Sequence, residues 1–140
     1  MKRMLRRVAL LGLAAAALGA VLAWPRINAV ETGKTPEYPE LQPRHYSASV
    51  EKVTKAAKAA LAALPRWRLV GEGKGPEGAE IQALYTTLVR LEHDVVIRIR
   101  HEKGRTQVSV KSKSRTFDWD FGQNARNIRT LLAALDREIS

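Results

Sequence analysis

Cysteine is absent from the 140 residues, and that single absence excludes several kinds of protein. No disulfide can staple the fold, so the hydrophobic core must suffice. No thiol can act as a nucleophile, and no lipoprotein-type anchor can be attached. A glycine-flanked serine elbow is also missing, which leaves nucleophilic chemistry without a signature. Histidine is scarce: His45, His93 and His101 lack the spacing of a metal site, and no carboxylate pair joins them at offsets that converge. Isolated histidines of this kind read as surface or turn residues. The sequence therefore points to no catalysis, no cofactor and no metal.

Acidic residues are few as well, 14 against 24 basic ones, for a formal net charge of +10. Part of that excess sits in the first residues. Lys2, Arg3, Arg6 and Arg7 precede an uncharged apolar run from Val8 to Trp24, closed by Pro25 and Arg26. A positive cluster followed by such a run sends a chain to a membrane and keeps the cations in the cytoplasm. The 17 residues reach the short end of the spanning range of about 17 to 25. Val21-Leu22-Ala23 offers small residues for a signal peptidase, but Trp24-Pro25 makes a poor junction after it. The expectation is an inner-membrane protein with residues 1–24 as anchor and the C-terminal part exported. The alternative is a cleaved signal and a protein secreted to the periplasm.

Without those four cations the exported part keeps 20 basic against 14 acidic residues, about +6. It is long enough for one domain and too short for two. Nucleic acid is a poor partner for it, because an exported domain does not meet DNA or RNA.

Pro25, Pro36, Pro39 and Pro43 make residues 25–46 read as an extended tether, with a strap packed through Tyr38, Leu41 and Tyr46 as the other reading. The domain, 47–140, opens with a helix. Ser47 or Ser49 caps it, Val50, Val53, Ala57, Ala60, Leu61 and Leu64 recur at three-to-four spacing, and Pro65 stops it. Lys52, Lys55 and Lys58 line its solvated side.

Four strand-like stretches follow, at 66–72, 79–89, 94–102 and 106–114. A two-residue loop at Lys103-Gly104 pairs His101 with Thr106, Ile99 with Val108, Ile97 with Val110 and Val95 with Ser112, which puts every apolar pair on one face. The opposite face carries Asp94 against Lys113 and Glu102 against Arg105. Arg98, Arg100 and Lys111 have no acidic partner within that hairpin.

Phe121, Ala125, Ile128, Leu132, Leu135 and Ile139 then alternate by four and three, the stripe of a helix about 19 residues long. Asp120 with Gln123 reads as a capping box at its start. Helix, four-stranded antiparallel meander and closing helix make an α+β domain, with both helices on one sheet face and the other face open and basic.

Three stretches of the C-terminal third also resemble domain-of-unknown-function family 1499. They are Asp94 to Arg100, Val108 to Arg115, and Asp120 to Ile128; Trp24-Pro25-Arg26-Ile27-Asn28 resembles the family's post-leader segment. The resemblance implies a small envelope protein of bacterial or plastid type and no agreed activity. The chain departs from the family pattern at Phe117, Asp118 and Trp119, where a glycine and small polar residues are usual, and at Ala29, where an aspartate is usual.

Two sites are expected from the residues. At the strand-to-helix junction, Ser112, Ser114, Arg115, Asp120, Asn124 and Arg126 gather donors and acceptors beside a helix N-terminus that can hold an anion. The structural account of the same residues pairs Arg115 with Asp120 and ties the loop to the first helical turn through Asn124. On the sheet, Arg98, Arg100 and Lys111 suit phosphates of headgroups or an acidic partner. The functional expectation is a non-catalytic accessory subunit that binds a membrane-protein partner, with binding of anionic lipid or envelope polymer through the basic sheet face as the alternative.

Overall fold

Period-two alternation in two neighbouring stretches builds the centre of the molecule. In the computed structural model, which describes residues 23–140, Glu92–Glu102 and Arg105–Ser114 form an antiparallel hairpin whose register matches all six expected pairs, from Val95 with Ser112 to Glu102 with Arg105. Lys103 and Gly104 both take positive φ, 48° and 76°, the turn that suits the twist of a tight hairpin. Val95, Ile97, Ile99, Val108 and Val110 are fully buried on the inner face.

Numbered in chain order, the strands are β1 (Ala29–Glu31), β2 (Arg44–Tyr46), β3 (Trp67–Gly75), β4 (Gly78–Thr86), β5 (Glu92–Glu102) and β6 (Arg105–Ser114). The helices are α1 (Val50–Ala63) and α2 (Gln123–Ile139). The sheet runs β1-β6-β5-β4-β3, with β2 also paired to β6, and every pairing is antiparallel. The expected α+β class holds, with six strands in place of four.

The two additional strands come from the segment read as a tether. β1 pairs with Lys111 to Lys113 and β2 with Thr106 to Val108, so they lie end to end along the outer edge of β6. Between them Thr32 exchanges two hydrogen bonds with the backbone of Val110. Val30 and Leu41 are buried in the core, and Tyr38 and Tyr46 pack against it. The prolines break the segment into short pieces without lifting it off the domain, and its pairing covers an edge that β6 would otherwise expose.

α1 starts where Ser49 Oγ accepts the Lys52 N–H at 3.1 Å, which decides between the two serines. Val53, Ala57, Ala60 and Leu61 of α1 are buried, as are Ala125, Ile128, Leu131, Leu132 and Leu135 of α2, which join the core over the inner face of the sheet. Both helices lie on that face, as the two stripes require. Phe121, read as the first residue of the α2 stripe, is instead exposed with φ of 51°, and Leu131 takes a core place. Gly78 is needed where β4 begins: at φ of 156° a Cβ would stand 1.9 Å from the Ile99 carbonyl oxygen.

Residues 1–22, which hold most of the expected anchor, lie outside the described residues. Among the described residues no helix is long and apolar enough to cross a membrane.

Candidate functional site

Among the described residues the outer sheet face is bare of helices, as expected, but its charges are more nearly balanced than the hairpin alone implies. Arg98 faces Glu80 of β4 at 3.5 Å and Glu31 of β1 at 3.8 Å, so neighbouring strands supply the acids that β6 lacks. Arg100 stands opposite Gly78 and Lys111 opposite Glu31; both are exposed, with no ion pair among the described residues. Two shallow troughs flank this row. One, of about 440 Å³, runs over the β3–β4 hairpin; the other, of about 500 Å³, lies beside β1 and β2, and Arg98 and Arg100 border both. Gly73 and Gly75 floor the first trough with no side chain. His45 reaches Glu102 at 3.4 Å on the rim of the second.

At the junction, most of the expected site residues turn inward. Ser112 and Ser114 share parity with Val108 and Val110, so they are buried rather than presented to a ligand. Asn124 is wholly buried and uses its entire amide: Oδ1 accepts from Ser112 Oγ at 2.7 Å and faces His93 Nδ1 at 2.9 Å. Its Nδ2 donates to the Asn28 carbonyl at 2.7 Å and to Asp120 Oδ2 at 2.8 Å. Because the amide oxygen Oδ1 can only accept, Nδ1 is the protonated nitrogen of His93. Asn127 extends the network by donating to Ser112 Oγ at 3.2 Å.

Asp120 caps the helix without a capping box. Its carboxylate accepts the N–H groups of Gly122 at 2.8 Å and Asn124 at 3.3 Å, so it occupies the place an external anion would take at the helix N-terminus. Gln123 does not reach back to Asp120 with its side chain; that amide donates to Asn127 Oδ1 and accepts from Arg126. The α2 N-cap is Gly122, with φ of 76°.

Arg115 does not pair with Asp120. It grips Asp94 with two hydrogen bonds, Nε to Oδ2 at 2.9 Å and Nη2 to Oδ1 at 2.7 Å, and reaches Glu92 at 2.5 Å. This fork holds the Asp94 carboxyl below its usual range, against a smaller opposing effect of burial,.

Arg126 is exposed and belongs to a group of rings that sequence reasoning did not assemble. Its guanidinium lies 5.2 Å over the ring of Trp24, and Trp24 meets Phe121 edge-on at 6.5 Å. Phe121 stacks on Trp119 at 4.3 Å, and Arg26 lies over the Trp119 ring at 4.7 Å. Trp119 Nε1 is buried with no acceptor among the described residues. The signal in the sequence was the departure at Phe117 to Trp119, which placed bulky rings in this loop.

His93 was also missed. Read as a turn residue, it is buried at 2%, because β5 begins at Glu92 and gives position 93 the inward parity of Val95, Ile97 and Ile99. Extending the alternation by one residue would have found it. Among the described residues, no group of three His, Asp or Glu side chains is placed to hold a metal ion.

A family model described as "Protein of unknown function (DUF1499)" matches residues 22–135. No curated protein matches the chain. The crystal structure of TTHA0849 from Thermus thermophilus is similar at a TM-score of 0.38 and 12% identity, over 79% of this chain and 96% of that one.

Proposed function

This chain belongs to the DUF1499 family, whose description names no activity, so we infer its role from its own geometry: a membrane-anchored, non-catalytic accessory subunit. In this reading the apolar leader holds the protein at the inner membrane, and the exported α+β domain offers its outer sheet face to a membrane-protein partner. One observation carries the reading. The inner sheet face is filled by α1 and α2, while the outer face stays uncovered among the described residues, with Val96 and the glycine-floored trough set among charges of both signs. A surface of mixed charge and shallow relief, with the half-buried Val96 among its charges, suits a protein partner, for which complementary charges set register.

Anionic lipid or polymer is the second reading of this face, and exposed Arg100 and Lys111 favour it. Arg98 counts against it, because Glu31 and Glu80 already neutralise that cation. The test uses the full chain extracted in mild detergent from its native membrane. A protein partner is expected to copurify in fixed ratio and to be lost from Val96→Asp and Arg100→Glu variants that stay folded. Retention of the same partner by both variants refutes the assignment to this face. Binding to acidic vesicles that falls steeply with salt and disappears in Arg100→Glu with Lys111→Glu transfers the face to the lipid reading.

A further inference from the structure

Six large apolar side chains stand out in solvent among the described residues: Leu69, Val70, Leu88, Val89, Phe117 and Phe121. All six lie toward one end of the sheet. Register defines that end: Trp67 pairs with Tyr85, Thr86 with Glu92, and His93 with Ser114. The start of β3, the β4–β5 turn and the loop from β6 to α2 therefore share it. Leu88 and Val89, at the tip of the β4–β5 turn, are the most exposed at 82% and 76%. The opposite end carries Lys74, Pro76, Glu77, Lys103 and Arg105 in and beside its two hairpin turns and, among the described residues, no exposed large apolar residue.

The apolar end is also where the leader arrives. Trp24, the last residue of the apolar run, packs on Phe121, and four residues later the Asn28 carbonyl accepts the Ser114 N–H where β6 ends. Arg26, Arg66, Arg90 and Arg126 stand exposed around this end and form no ion pair among the described residues. Among the described residues the acids with exposed side chains at this end are Asp118 in the β6–α2 loop and Glu92 and Asp94, the last two already paired to Arg115. Exposed apolar tips ringed by tryptophan and arginine are the composition of a protein surface at a membrane–water interface, and a clustered apolar patch on a soluble face marks an interaction site.

We propose that this rim is a bilayer-docking surface. Leu88, Val89 and Phe117 enter the headgroup region of an anionic phospholipid bilayer, and the four arginines meet its phosphates. The proposal rests on the anchored reading above. It adds a pose: the strands stand along the membrane normal, the domain sits directly on the bilayer, and the outer sheet face points sideways toward a neighbour in the membrane. A bilayer is the occupant because the apolar run ends inside the rim and the local charge complements anionic lipid.

The absence of cysteine makes the test clean. Single Leu88→Cys, Phe117→Cys, Ala23→Cys and Lys103→Cys variants of the full chain, each labelled with an environment-sensitive fluorophore, are reconstituted in phosphatidylcholine vesicles with and without phosphatidylglycerol. Nitroxide-labelled lipid then serves as quencher. Quenching at positions 88 and 117 is expected to be several-fold stronger than at 103, and stronger still with the acidic lipid. If position 23 is quenched while 88 matches 103, the chain is anchored but not seated, and the proposal falls alone. If position 23 is unquenched as well, the anchored reading falls with it. Shielding of position 88 from aqueous iodide without lipid quenching means a second copy covers the rim, which also overturns the proposal.

Discussion

Asn124→Ala tests how far one buried amide holds the domain together. The side chain spends both acceptor sites and both donors on four partners, from β5, β6, the segment before β1, and the loop before α2. Truncation does not affect them equally. The Asn28 carbonyl still accepts the Ser114 N–H, and Asp120 keeps the Gly122 and Asn124 backbone donors. His93 Nδ1–H and the Ser112 hydroxyl proton lose their acceptor inside the protein. At about 1–3 kcal/mol for each of the two orphaned buried donors, and about 1 kcal/mol for the lost bond to the Asp120 carboxylate, the expected cost is about 3–7 kcal/mol. For a domain of this size that is a large share of a total of about 5–15 kcal/mol. With a urea m-value of about 2 kcal/mol/M, the midpoint should fall by about 1.5–3.5 M. Adding Ser112→Ala to Asn124→Ala should cost less than Ser112→Ala alone, because the hydroxyl is already without its acceptor. A midpoint within about 0.5 M of the parent, or strict additivity in that cycle, would refute the account of a shared network.

The Arg115 fork makes a pH prediction with a definite sign. The Asp94 carboxyl titrates lower in the folded than in the unfolded state, so the stabilisation is present at neutral pH and is lost as pH falls through the folded value; Arg115→Ala should raise the Asp94 titration seen by NMR and flatten that acid limb. Tyr46 donates its phenol hydrogen to Asp136 at 2.5 Å, and burial together with that bond pushes its ionisation well above the ordinary tyrosine value. Tyr46→Phe should therefore remove the highest-pH step of an ultraviolet tyrosine titration and cost about 1 kcal/mol in denaturation. Gly78→Ala places a methyl against the Ile99 carbonyl and should lower stability by at least about 2 kcal/mol, read by thermal melting. Deleting the exposed charge at Lys55 should change stability by under about 0.5 kcal/mol in the same assay.

Several features of the fold could be read directly from the residues, and each rests on local chemistry. The β5–β6 register follows from a two-residue turn and the parity of Val95, Ile97, Ile99, Val108 and Val110, since a slip of one would break the shared face. The span of α1 follows from an apolar spacing of three and four between a serine and a proline. Errors arose where a local signal was cut short or overruled. The β5 alternation was begun at Asp94, two residues inside the true start of the strand at Glu92, which left His93 outside. The prolines of 25–46 suggested a spacer, while the unpaired edge of β6 recruited short strands on either side of Pro36, Pro39 and Pro43.

What the sequence determined by itself was the α+β class, the two helices over one sheet face, the central hairpin, and membership of a family whose motifs recur along the chain. Tertiary structure decided who pairs with whom. Glu31 and Glu80 reach Arg98 only because β1 and β4 border the hairpin, and Trp24 meets Phe121 only because the chain returns along β6. Period and turn chemistry tell a residue which face it occupies, but its partner there is chosen by strand order and by elements nearly a hundred positions away, which no local pattern encodes.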